Sequence, residues 1–61
     1  MEVEFVLINS DGNKCDTRLL YKYDKNHAIQ YARRVLEDDL SLSAVYVSIK
    51  DGDLDVVRRV P

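Results

Sequence analysis

The segment from Asp24 to about Leu40 constrains the fold most, because it is the only stretch of the chain with the periodicity of a helix. Asp24 is a suitable N-cap, since its short acceptor side chain comes directly before the helical pattern. The apolar side chains form one arc: Ala28, Ile29, Ala32, Val35, Leu36 and Leu40. Asp39 falls in the same arc, so we expect regular helix to end near Asp38 and Leu40 to make a closing hydrophobic contact. One amphipathic helix needs a sheet to cover.

The segments on either side of the helix each have the pattern of a β-hairpin. An Asp-Gly pair, typical of tight hairpin turns, lies in the middle of each. The predicted elements are strands Glu2–Asn9 and Lys14–Tyr23 around a turn at Ser10–Asn13, and strands Ala44–Lys50 and Leu54–Val60 around a turn at Asp51–Asp53. The sequence therefore predicts one α+β domain over residues 1–61, a two-layer ββαββ arrangement with one helix packed on a four-stranded, mainly antiparallel sheet. It leaves the strand order open.

Alternation along the strands predicts which side chains face the helix. The inward rows are Val3, Phe5 and Leu7; Cys15, Thr17, Leu19, Tyr21 and Tyr23; Val45, Val47 and Ile49; and Leu54, Val56 and Val60. Arg58 falls on the last inward row and would reach out at the sheet edge. The opposite face then carries Val6, Ile8, Leu20, Tyr46 and Val57. No segment remains to cover these five residues, so they form the predicted protein interface.

Catalytic, cofactor and metal sites are not expected. Cys15 and His27 are the only candidates for a nucleophile and base, and the predicted elements point them apart. One cysteine and one histidine are too few for a structural zinc site. The Asp51–Asp55 segment starts like an EF-hand loop, but its sixth position is Val56 rather than glycine. Both glycines are used in turns, which leaves no phosphate-binding loop.

The charge balance gives little attraction for nucleic acid. Nine Lys and Arg residues against 11 Asp and Glu give a net charge of -2, so no global positive field exists. Two basic pairs, Arg33 with Arg34 and Arg58 with Arg59, could still contact phosphate. Nucleic-acid binding through these four arginines is the alternative hypothesis.

The size of the chain favours association. A domain of 61 residues buries only about 60% of its unfolded surface and has a marginal core. A single cysteine excludes an internal disulfide. The start of the chain lacks a secretory signal and no apolar run is long enough for a membrane span, so we expect a cytoplasmic protein without a membrane partner. The expected partner is a second copy, forming a homodimer, or another protein.

The order of these elements resembles small phage- and prophage-encoded α+β proteins. The resemblance lies in Tyr23-Asp24 followed by the AIQYARRVL helix, and in the VYVSIKDGD strand and turn. It implies a protein that works by binding, as a phage-type modulator of a host protein or of nucleic-acid machinery.

Overall fold

The computed structural model describes residues 1–49 and 52–59. Its elements are β1 (Glu2–Asn9), β2 (Lys14–Tyr21), α1 (Lys25–Asp38), β3 (Leu42–Ile49) and β4 (Leu54–Arg58). The strands form one antiparallel sheet in the order β2-β1-β3-β4, with α1 packed on one face. The predicted α+β class and ββαββ order are confirmed. The strand order, which the sequence left open, puts β1 and β3 in the centre.

The helix begins as the sequence predicts. Asp24 Oδ1 accepts the backbone N–H of His27 at 2.9 Å, which satisfies one of the N–H groups that the first turn leaves free. The buried side chains of α1 are Ala28, Ala32 and Leu36. The expected closing contact of Leu40 is wrong, because that side chain is 81% exposed. The backbone becomes extended at Asp39 (φ -128°, ψ 101°), so Leu40 no longer follows the helical arc.

The central strands supply most of the sheet's share of the core. Val3, Phe5 and Leu7 of β1 and Val45 and Val47 of β3 are buried against α1, as their alternation predicts.

β3 begins before the predicted residue. Leu42, which we expected in a connecting segment, pairs with Asn9 and belongs to the core cluster. A register shift between Ile8 and Asn9 accommodates the additional pairing. Ser43 Oγ donates to the Asn9 carbonyl at 2.8 Å and holds the start of the strand in place.

The predicted orientation of β2 is wrong. Leu20 lies directly opposite Val3 in the ladder, so it faces the helix and packs against the core. Leu19 and Tyr21, predicted inward, are 64% and 80% exposed on the other face. Cys15, expected to be buried, is also exposed.

The physical reason is that β2 is an edge strand that the helix covers poorly. Seven of its eight residues are exposed whichever way they face, so hydrophobic alternation carries little information about burial. Arg18 lies on the helix side, opposite Phe5, where its guanidinium donates to Tyr31 Oη at 3.0 Å. That hydrogen bond raises the pKa of Arg18. The sequence predicts that the row of Arg18 points away from the helix. The hydrogen bond to Tyr31 allows this charged residue to lie on the helix side instead.

The predicted orientation of β4 is also wrong. Val57 lies opposite Val45 and is 8% exposed, whereas Val56 is 44% exposed on the other face. Because Val56 and Val57 are adjacent and both apolar, the alternation along the strand allows either of them to face the helix. Asp55 then lies on the helix side, with Oδ2 3.2 Å from Lys25 Nζ. The predictions for Lys50, Asp51, Val60 and Pro61 lie outside the described residues.

Candidate interaction surfaces

The open face is the side of the sheet opposite α1. Of the five residues predicted there, Val6, Ile8 and Tyr46 lie on it, whereas Leu20 and Val57 lie on the helix side. The ladder adds four apolar residues that sequence reasoning placed inward: Leu19, Tyr21, Leu54 and Val56. The face is not uniformly exposed, since Ile8 and Ala44 at one end of it are only 8% and 2% exposed. The open face therefore carries a different and larger set of apolar side chains than the sequence predicts.

Some of the apolar side chains of the open face are contiguous across the strands. One row crosses all four strands through Thr17, Val6, Tyr46 and Val56. The next row runs through Leu19, Glu4, Ser48 and Leu54. Side chains directly opposite each other on neighbouring strands lie within contact distance, so Val6, Tyr46 and Val56 form an apolar patch, whereas Glu4 and Ser48 separate Leu19 from Leu54 in the next row.

The two ends of the open face carry opposite charges. Glu2 and Glu4 lie at one end of β1. Lys14 lies opposite Ile8 and Arg58 opposite Ala44, both at the other end of the face. The surface thus has an acidic end, an apolar middle and a basic end.

A second surface lies at the edge of the sheet beside β4. A groove of about 520 Å³ runs between β4 and the second half of α1, and we call it the arginine groove. Its lining is Arg33, Leu36, Glu37, Val56, Val57, Arg58 and Arg59. Arg34 is not among these residues and lies with Gln30 on the exposed side of the helix. Three of the four arginines of the alternative hypothesis are therefore brought together.

The arginines of the groove differ in what holds them. The Arg59 guanidinium donates to the carbonyls of Asp39 at 2.9 Å and Leu42 at 2.8 Å. It therefore stabilises the connection between α1 and β3. Within residues 1–49 and 52–59, neither Arg33 nor Arg58 forms an ion pair.

The connection that Arg59 holds has its own capping carboxylate. Asp39 Oδ1 accepts hydrogen bonds from the Ser41 hydroxyl at 2.6 Å and from the Ser41 N–H at 3.0 Å. These bonds, the hydroxyl's first, hold the pKa of Asp39 below its usual range. Asp39 and Arg59 thus fix the same corner of the chain, next to the arginine groove.

β4 has a free edge. Arg59 N–H bonds the Ser43 carbonyl and Asp53 accepts from Ile49 N–H. Bonding alternates along an antiparallel pair, so Asp55 and Val57 also direct their peptide groups towards β3. The peptide groups of Leu54, Val56 and Arg58 then point outward.

The residues considered for catalysis and metal binding lie outside both surfaces. His27 Nδ1 is 2.8 Å from Asp24 Oδ1 at the exposed start of α1, and Cys15 Sγ is 3.4 Å from the Leu7 carbonyl oxygen. In the part of the chain that the structure describes, no three His, Cys, Asp or Glu side chains are grouped so that they could hold a metal ion. None of its helices combines the length and apolar character needed to cross a membrane.

Comparison with protein-family models, with curated proteins and with solved structures finds no match to this chain.

Proposed function

We propose that this chain is a small non-enzymatic protein-binding module that self-associates through its open face. The observation that supports the proposal most strongly is the contiguous apolar surface around Val6, Tyr46 and Val56. A small domain with a marginal core gains stability when a partner covers such a surface. The other features of the face bear on the identity of the partner.

The charge distribution of the open face is complementary to that of a second copy of the chain. A two-fold axis in the plane of the sheet, perpendicular to the strands, sets the acidic end of one copy against the basic end of the other. Glu2 and Glu4 then approach Lys14 of the second copy, while the apolar middle rows meet. Opposed charges of this kind favour one relative orientation over the reverse.

The area of the face sets the strength of the contact. The molecule measures 29 × 18 × 16 Å, so the broad side of the sheet offers about 500 Å² and two copies together would bury about 1,000 Å², at the lower end of specific interfaces. We therefore expect association that depends on concentration. If the chain is a phage-type modulator of a host protein, that host protein would compete with the second copy for the open face.

Light scattering at several concentrations tests the proposal. Wild type should show a mass above the 7.1 kDa of one chain, and Tyr46→Asp should lower it by placing a charge in the apolar middle. Gln30→Asp, on the exposed side of α1, is the matched control and should leave the mass unchanged. Equal masses for Tyr46→Asp and wild type would refute self-association through this face.

Nucleic-acid binding through Arg33, Arg34, Arg58 and Arg59 has less support. Arg34 does not line the groove, and Arg59 is engaged with backbone carbonyls. If phosphate were the ligand, affinity would fall steeply with added salt. Absence of a complex with mixed DNA or RNA at about 50 mM salt would remove this alternative.

A further inference from the structure

We infer that β4 of one chain pairs antiparallel with β4 of a second copy, so that two sheets join edge to edge. This contact is separate from the open face and rests on different observations. They are the free edge of β4, the distribution of charge along that strand, and the arginine groove beside it.

The backbone supplies the first argument. Leu54, Val56 and Arg58 present outward N–H and C=O groups along an unpaired edge, a template for strand addition. An antiparallel partner pairs all three only when Val56 lies opposite Val56 of the second copy and Leu54 opposite its Arg58. A register shifted towards Leu54 would place Asp55 opposite its own copy, where like charges repel. One register is therefore favoured.

The charge pattern of the strand is complementary to itself. Asp53 and Asp55 precede the two valines, and Arg58 and Arg59 follow them. In the favoured register the acidic half of each strand runs alongside the basic half of the other. Asp53 then lies opposite Arg59 of the second copy, whose Nη2 already donates to the Asp39 and Leu42 carbonyls of its own chain. This pattern argues for a second copy rather than an unrelated strand.

The arginine groove has space for the incoming strand. It is open beside β4 and has an apolar portion formed by Leu36, Val56 and Val57. Asp53 and Asp55 of the incoming strand, which lie 4.0 and 3.2 Å from Lys25 Nζ of their own chain, approach Arg33, which forms no ion pair within the described ranges. A two-fold axis normal to the sheet also brings Arg33 towards Glu37 of the second copy, since both line the groove.

A proline substitution tests this contact. Because Val56 also lies on the open face, opposite Tyr46, the matched control is Val56→Ala, which shortens the side chain, keeps the N–H and should retain the mass of wild type. In Val56→Pro the lost N–H is one that points away from β3, a position where an edge strand tolerates proline. Light scattering on wild type, Val56→Pro, Tyr46→Asp and the double variant should give four, two, two and one chains. A mass for Val56→Pro equal to that of wild type would overturn the edge contact. A mass for Tyr46→Asp equal to that of wild type would overturn the open-face contact instead.

Amide hydrogen exchange of the wild type tests the edge contact without any substitution. The outward amides of Leu54, Val56 and Arg58 should exchange at least tenfold more slowly at high than at low protein concentration. The amides of Thr17, Leu19 and Tyr21 point outward at the opposite edge, by the same alternation from the Lys22 to Met1 bond, and should not change. Exchange at β4 that is equally fast at both concentrations would overturn the inference. A nucleic-acid strand bound to the same arginines would leave these β4 amides unprotected.

Discussion

Val57 of β4 lies directly opposite Val45 of β3, and both side chains are buried beneath α1. The preceding residue, Val56, lies opposite Tyr46 on the open face. Two adjacent valines thus face opposite sides of the sheet, Val57 the core and Val56 the open face, and both line the arginine groove.

The first prediction uses these two valines as a matched pair. Val57→Asp should unfold the domain, because an unpaired buried charge costs about 3 to 5 kcal/mol, comparable with the roughly 3 to 5 kcal/mol that so small a core supplies. Val56→Asp should retain the fold and lose self-association. Urea unfolding followed by circular dichroism distinguishes them. Equal unfolding midpoints for the two variants would mean that the orientation of β4 is incorrect.

A second prediction concerns the contact between helix and sheet. Ala32 is fully buried, whereas Gln30 is exposed on the same helix. Ala32→Asp should therefore abolish the cooperative thermal transition, and Gln30→Asp should change the melting temperature little. A stable Ala32→Asp variant would contradict the packing of α1 described above.

The third prediction concerns pH. The His27 N–H, and after it the His27 side chain, hold the pKa of Asp24 below its usual range. The stabilisation is then fully present above the ordinary aspartate pKa of about 3.9, and it is lost as the pH falls through the lower folded-state value. Asp24→Ala should lower the melting temperature at neutral pH, and its difference from wild type should shrink in acid.

The control for this experiment is Asp11→Ala in the first turn, because Asp11 caps no helix. Thermal melts between about pH 7 and pH 2 cover the relevant range. A difference between wild type and Asp24→Ala that stays constant over that range would show that the ionised carboxylate is not what stabilises the start of α1.

A charge exchange tests the orientation of the open-face contact. Glu4→Lys alone and Lys14→Glu alone should each weaken association, since Glu4 approaches Lys14 of the second copy and either change gives this pair like charges. The double variant restores opposite charges in the pair and should recover the affinity, as measured by sedimentation equilibrium at low salt. If both single variants associate like wild type, the two copies do not meet with acidic end against basic end.

The sequence predicted the central elements well because their patterns are one-sided. In β1 and β3 the inward rows contain only apolar residues, and in α1 two small alanines occupy the middle of the buried arc. Because these rows are entirely apolar, the sequence favours only one orientation of β1, β3 and α1, the one that buries them. The class of fold follows from them together with the two turns.

The orientation of the edge strands could not be predicted in the same way. Arg18 lies on the helix side because Tyr31 accepts its hydrogen bond, and Asp55 does so beside Lys25. Both partners come from α1, distant in sequence, and they make a charged residue acceptable on an inward row. The candidate surface was therefore only partly predictable. Val6, Ile8 and Tyr46 follow from the central strands, whereas Leu19 and Val56 require the ladder.

The dependence of the melting temperature on protein concentration tests self-association most directly. Association of folded chains stabilises them by mass action, so the melting temperature of wild type should rise between about 10 μM and 1 mM. The double variant Tyr46→Asp with Val56→Pro should melt at one temperature throughout. A wild-type melting temperature independent of concentration, together with the mass of a single chain, would contradict self-association through either surface.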